Sequence, residues 1–175
     1  MENVAAFVKE PISHQTYDVQ LGPAHFFMLN SDPHEPDGIT ATSAQAQWLQ
    51  SRLSASTACW KIVVLHHAPY SSSAVHGSTT VAQWPYAAWG ADMVMAGHAH
   101  VYERLQQDGI AYIVNGVGGA PFYAFGAPIS GSLVRYNTQH GAMRIDARPN
   151  TLRVWFVNVD GAVIDHFTLS GGCAP

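Results

Sequence analysis

Three short apolar runs, at residues 61–65, 92–96 and 110–114, constrain this chain most. Each is too short for a helix and rich in Val, Ile or Met, so each reads as a buried strand. Residues 17–21 and 25–29 flank Gly22-Pro23 and predict a hairpin. Thr42 or Ser43 can cap a helix running to about Leu53, with Trp48, Leu49 and Leu53 on one side. A second, short helix is expected with Pro85 in its first turn and Gly90 just past its end. Residues 133–169 alternate short strands with turns and predict an antiparallel meander. Within it, Val154, Trp155, Phe156 and Val157 put apolar groups on both faces of one strand, which predicts burial on both sides. The order gives an α/β (α+β) class, a sheet with helices on one face and its other face in need of cover. No repeat or linker divides residues 1–175, so they form one domain or a large piece of one.

Hydrophobic residues make up 47% of the chain, enough for a core. Charged residues are 11%, against roughly 25% in an ordinary soluble domain, so much of the surface is neutral. A formal charge of −4 and no basic patch argue against a nucleic-acid partner. No apolar stretch reaches the ~20 residues of a membrane span. The start, from Met1 to Lys9, lacks the basic and apolar regions of a secretory signal. Two cysteines, Cys59 and Cys173, allow one bridge or none.

Histidine is over-used, with ten residues. His66-His67 follows the first buried run, His76 sits in the Ser-rich loop after it, and Gly97-His98-Ala99-His100 follows the second. Loops at strand ends are where binding groups collect. Imidazole suits zinc, copper, nickel and iron. Histidines at i and i+2 point to opposite faces of a regular strand, so a shared centre requires the backbone to turn. Gly97 is the residue expected to supply that turn. Taken singly, each of these histidines is more often a buried or solvated side chain than a ligand. Their common placement after strands is what makes convergence the stronger reading.

Two segments carry a family resemblance. Val64-Leu65-His66-His67-Ala68-Pro69 resembles the Val-x-x-His motif of calcineurin-like metallophosphoesterases, in which the last histidine binds metal. Gly97-His98-Ala99-His100-Val101-Tyr102-Glu103-Arg104 resembles the Gly-His-x-His motif with the Tyr-Glu-Arg tail of the purple acid phosphatase type. Gln47-Trp48-Leu49 and the glycines from Gly116 to Gly119 also fit. The resemblance implies that His67, His98 and His100 bind metal and that His76 is the catalytic histidine contacting the substrate phosphate. It gives His66 no role. It implies a four-layer αββα sandwich with a mixed sheet and C-terminal antiparallel strands. It also implies hydrolysis of phosphomonoesters at two ions of iron, zinc or manganese. These ions bind the phosphoryl group and lower the pKa of a water, whose hydroxide attacks phosphorus in line. A secreted or periplasmic location follows from the same likeness.

The departure from the family is in its acidic ligands. The family's early aspartate, bridging aspartate, tyrosine and Gly-Asn-His asparagine have no counterpart, since the chain has no Gly-Asp and no Asn-His pair. Asp32 and Asp37 lie in the wrong order to replace them. Two divalent ions about 3.5 Å apart repel by roughly 19 kcal/mol at an effective dielectric near 20. Neutral imidazoles do not offset that. The expectation is therefore the C-terminal portion of one metallophosphoesterase domain, lacking the N-terminal metal-ligand half, holding at most one ion and poorly active alone. One of two face-to-face sheets would come from the missing half, leaving a large apolar face here and favouring self-association. The alternatives are a non-catalytic remnant or binding module of the same fold, a partner chain carrying the other half, and a three-histidine mononuclear site.

Overall fold

A computed structural model describes residues 16–173; the segment read for a secretory signal lies outside them. In chain order the elements are β1 (Tyr17–Leu21), β2 (Ala24–Met28), α1 (Ala44–Ala55), β3 (Trp60–Val64), β4 (Met93–Ala96), β5 (Tyr102–Gln107), β6 (Ile110–Asn115), β7 (Ser132–Tyr136), β8 (Gly141–Arg148), β9 (Thr151–Asn158) and β10 (Val163–Ser170). A seven-stranded mixed sheet runs β1-β2-β3-β4-β6-β5-β7, and a three-stranded antiparallel sheet runs β10-β9-β8. Strands β2, β3, β4 and β6 are parallel neighbours. Their C-terminal ends therefore open on one edge, where ligands bind in open α/β sheets.

Side chains alternate across each central strand, and both faces are covered. Val63, Val94, Tyr112 and Val114 pack with Leu49 and Leu53 of α1. Ile62, Met93, Ala111 and Ile113 pack with Leu152, Val154 and Phe156 of β9. Coverage on both faces is why these strands read as continuous apolar runs. Helix α1 starts at Ser43, whose Oγ accepts from the Ala46 N–H, and ends before Ser56.

Three expectations are corrected. The second helix is one turn: the Trp89 N–H donates to the Pro85 carbonyl at 3.0 Å. Gly90, at φ +93°, then closes it, with Gly90 donating to Ala87 and Ala91 to Tyr86, the paired bonds that end a helix. Next, both sheets belong to this chain: of the expected meander, β7 joins the edge of the large sheet, and β8, β9 and β10 form the small sheet that covers the large sheet's second face. Finally, β9 is not buried on both sides. Val154 and Phe156 are fully buried, Trp155 and Val157 only half-buried. The outward neighbours Arg144, Arg153, His166 and Thr168 make that face polar, so no large apolar face appears there. A strand absent from the sequence reading, β5, carries the Tyr-Glu-Arg segment back across the sheet between β6 and β7. No helix among the described residues is long and apolar enough to cross a membrane.

Candidate metal centre

The histidines gather at the open edge. Leu65 extends β3 by one bond, its N–H donating to the Met95 carbonyl at 3.0 Å, and the chain bends at His66 and His67. The bend lets neighbouring side chains face one place instead of opposite faces. His98 follows β4 with φ 60°, a left-handed conformation uncommon for a residue with a side chain. The turn was expected at Gly97, but Gly97 has an ordinary φ and His98 itself makes it. Left-handed backbone costs roughly 1–2 kcal/mol in a non-glycine residue and concentrates at functional sites.

One ligand nitrogen from each of His66, His67 and His98 lies within 4.8 Å of the others. His66 Nε2 and His98 Nδ1 are 3.0 Å apart, so one ring donates to the other. His67 is oriented by Ser31: its backbone N–H donates to Ser31 Oγ at 2.9 Å, and its Nδ1 lies 2.9 Å from the same oxygen. Burial, then the neighbouring imidazole of His66, push the His67 pKa down. Burial and the rings of His67, His76, His66 and His100 push His98 down to about 4. At neutral pH His98 is thus an uncharged imidazole with a lone pair to give.

His76 and His100 border this group. The His76 ring lies 4.0 Å from that of His98, centroid to centroid. His76 is exposed, at the tip of a turn. His100 donates its Nδ1–H to the Pro121 carbonyl at 2.9 Å, which leaves Nε2 as its free lone pair. Its ring stacks on Tyr123 at 4.1 Å, and Tyr123 meets His76 edge-on at 5.2 Å. The three nitrogens that fall closest therefore include His66, to which the sequence reading gave no role, and not His100. Tyr123 and Ser31 were also missed. No local pattern marks them, since each arrives from a loop that only the fold brings near.

The donor set fits one ion. Nitrogens bound to one ion at about 2.1 Å lie within about 4 Å of one another, and these three already lie within 4.8 Å. The group found among the described residues contains no carboxylate of its own to offset the charge of a second ion.

The sequence profile of the calcineurin-like phosphoesterases matches residues 4–102, more than half of the chain. The chain belongs to that family. Among solved structures, this family member is similar to purple acid phosphatase PPD1 from yellow lupin (Lupinus luteus) seeds, with TM-score 0.80 and 20% identity over 92% of this chain and 33% of that one. It is also similar to GAP50, the anchor in the inner membrane complex of Plasmodium, with TM-score 0.71 and 21% identity over 94% of this chain and 56% of that one. A third likeness, to PhoD, has TM-score 0.60 and 14% identity over 97% and 44%. Identities this low show the shared fold, a mixed-sheet sandwich of the purple acid phosphatase kind. The chain spans between 33% and 56% of the length of these structures.

Proposed function

We propose that this chain carries the histidine side of a phosphoesterase centre, binding one metal ion and a phosphate ester. The observation that carries the reading is the convergence of His66, His67 and His98 to within 4.8 Å. His67 and His98 are the family-type ligands, and His66 takes a third position on the same ion. His100, with Nε2 free beside Tyr123, would serve a second ion only where carboxylates come from outside the described residues. A bound ion of zinc, iron or manganese would polarise a phosphoryl oxygen and acidify water. His76, exposed beside His98, reaches a phosphate oxygen and donates a hydrogen bond or the proton that the leaving alkoxide needs. The substrates would be phosphomonoesters, and the domain would be the C-terminal portion of a longer metallophosphoesterase.

A second reading is a binding module with little chemistry. It is favoured by the carboxylate-free donor set and by the likeness to GAP50, an anchor in its own organism. The Cys59–Cys173 disulfide, with Cα atoms 4.7 Å apart, supports an oxidising compartment for either reading.

Calorimetric titration with zinc tests the metal site. We expect one ion per chain, and loss of binding in His98→Ala and in His67→Ala. Retained binding in both variants would remove the site.

A further inference from the structure

The Tyr-Glu-Arg segment lies in β5, so its side chains alternate between the two faces of the large sheet. Tyr102 and Arg104 face the small sheet. There the Tyr102 hydroxyl donates to Asp165 Oδ2 at 2.8 Å, and Arg104 Nε and Nη2 donate to the same carboxylate at 2.7 and 3.1 Å. Glu103 faces the opposite way and is fully buried. Its carboxylate accepts from the Ser72 N–H at 2.7 Å, Ser132 Oγ at 2.6 Å and Ser71 Oγ at 3.4 Å, and also from the Ser72 hydroxyl. Burying a carboxylate is expensive unless every oxygen is satisfied, and here serines satisfy it.

Ser71 and Ser72 are the foot of the turn that carries His76. Ser71, Ser72 and Ser73 are all buried. The Gly77 N–H donates back to the Ser73 carbonyl at 3.0 Å, with Gly77 at φ +60°, and this closes the turn around His76. Ser72 and Ala74 also bond to the segment carrying Tyr123: the Gly126 N–H donates to the Ser72 carbonyl at 2.8 Å, and the Ala74 N–H to the Ala124 carbonyl at 2.8 Å. One buried carboxylate thus grips the loop at its base, while an exposed imidazole sits at the tip against His98.

We infer that Glu103 is a positioning residue for His76: its carboxylate, by holding Ser71 and Ser72, sets the His76 ring against His98. The catalytic meaning of this rests on reading His76 as the phosphate contact; the positioning itself does not.

The test is a nuclear Overhauser measurement between the His76 and His98 ring protons in the full, metal-free chain. Glu103→Gln keeps the shape but turns amide hydrogens toward the serine donors. Ser72→Ala removes one hydroxyl at the foot of the turn. Ser132→Ala removes a bond to the same carboxylate from the β7 side, away from the turn. We expect the His76–His98 cross-peak to be lost in Glu103→Gln and in Ser72→Ala, and kept in Ser132→Ala, with the His67–His98 cross-peak kept in all three. A cross-peak that survives Ser72→Ala and Glu103→Gln, or is lost equally in Ser132→Ala, overturns the inference. If Glu103→Gln fails to fold, the two serine variants decide. Binding of inorganic phosphate to zinc-loaded His76→Ala is measured separately. Unchanged affinity there would refute the phosphate role of His76 and leave the cross-peak result standing.

Discussion

Gly116 shows how closely the site loops approach one another. It follows β6, and its N–H donates to the Val101 carbonyl at 3.0 Å. A Cβ there would lie 2.0 Å from the Ala99 carbonyl oxygen, backbone that cannot swing aside. Gly116→Ala should therefore displace the 98–100 loop while leaving the core intact. Zinc affinity should fall on the order of tenfold or more, as it does when groups that orient ligands are disturbed. Calorimetry with unchanged far-ultraviolet circular dichroism would show this. Unchanged affinity would mean that the loop does not set the ligand geometry. The left-handed φ of 60° at His98 is the other local demand, a conformation uncommon for a residue with a side chain.

The edge strands and α1 are joined by a polar cluster. Asp18 of β1 accepts from Arg52 Nε and Nη2 at 2.5 and 2.9 Å, and pairs with His25 of β2 at 3.0 Å. His25 Nδ1 reaches Ser56 Oγ, just past α1, at 2.8 Å. Burial raises the Asp18 carboxyl, but the bonds from Arg52 and His25 outweigh it and hold the pKa below the ordinary value. A carboxylate with a depressed folded pKa contributes stability above its unfolded pKa of about 3.9 and loses it as pH falls through the folded value. Asp18→Asn should thus be less stable than the natural chain at pH 7. The gap should narrow as pH falls below about 3.9, because Asp18 takes up its proton in the unfolded chain first. Urea unfolding at pH 7 and near pH 3 measures it. A pH-independent gap would show that the charge contributes nothing.

At the scale of the molecule, the disulfide and the sheet pair set stability, and the donor set limits chemistry. Cys59, just before β3, is tied to Cys173, after β10, across a sequence separation of 114. Beside it the Trp60 indole N–H donates to the Arg148 carbonyl at 2.6 Å, so the link fastens the end of the small sheet to the large one. Reduction should cost about 2–4 kcal/mol and lower the melting temperature by about 4–16 °C. Calorimetric scans with and without reductant would check it; an unchanged midpoint would mean the link bears no load. The same chain, supplied separately with zinc, iron or manganese, should turn over a generic phosphomonoester little or not at all. A single ion would lack the second metal that, in a two-metal site, clamps the attacking and leaving oxygens together. A rate of about 1 to 10³ per second, ordinary for an enzyme, would overturn that expectation.

Much of this was determined by the sequence alone. Runs at 61–65, 92–96 and 110–114 are apolar on both faces because both faces of a central sheet are covered, so their pattern marked β3, β4 and β6 directly. Thr42 or Ser43 marked the start of α1 to within one residue, and the structure makes Ser43 the cap through its bond to the Ala46 N–H. Convergence of the histidines after β3 and β4 was legible, since strand ends of a parallel sheet share one edge, although the three nitrogens that gather belong to His66, His67 and His98 and not to the expected set with His100. Tertiary structure decided the rest. It made the meander the cover for the large sheet, because period-2 alternation in β9 turns Val154 and Phe156 inward and leaves Trp155 outward. It brought in His66 through a bend and Tyr123 through a distant loop, which no spacing in the sequence encodes. And it gave Glu103 its serines, because a strand's alternation says which way a side chain points but not which loop will fold over it.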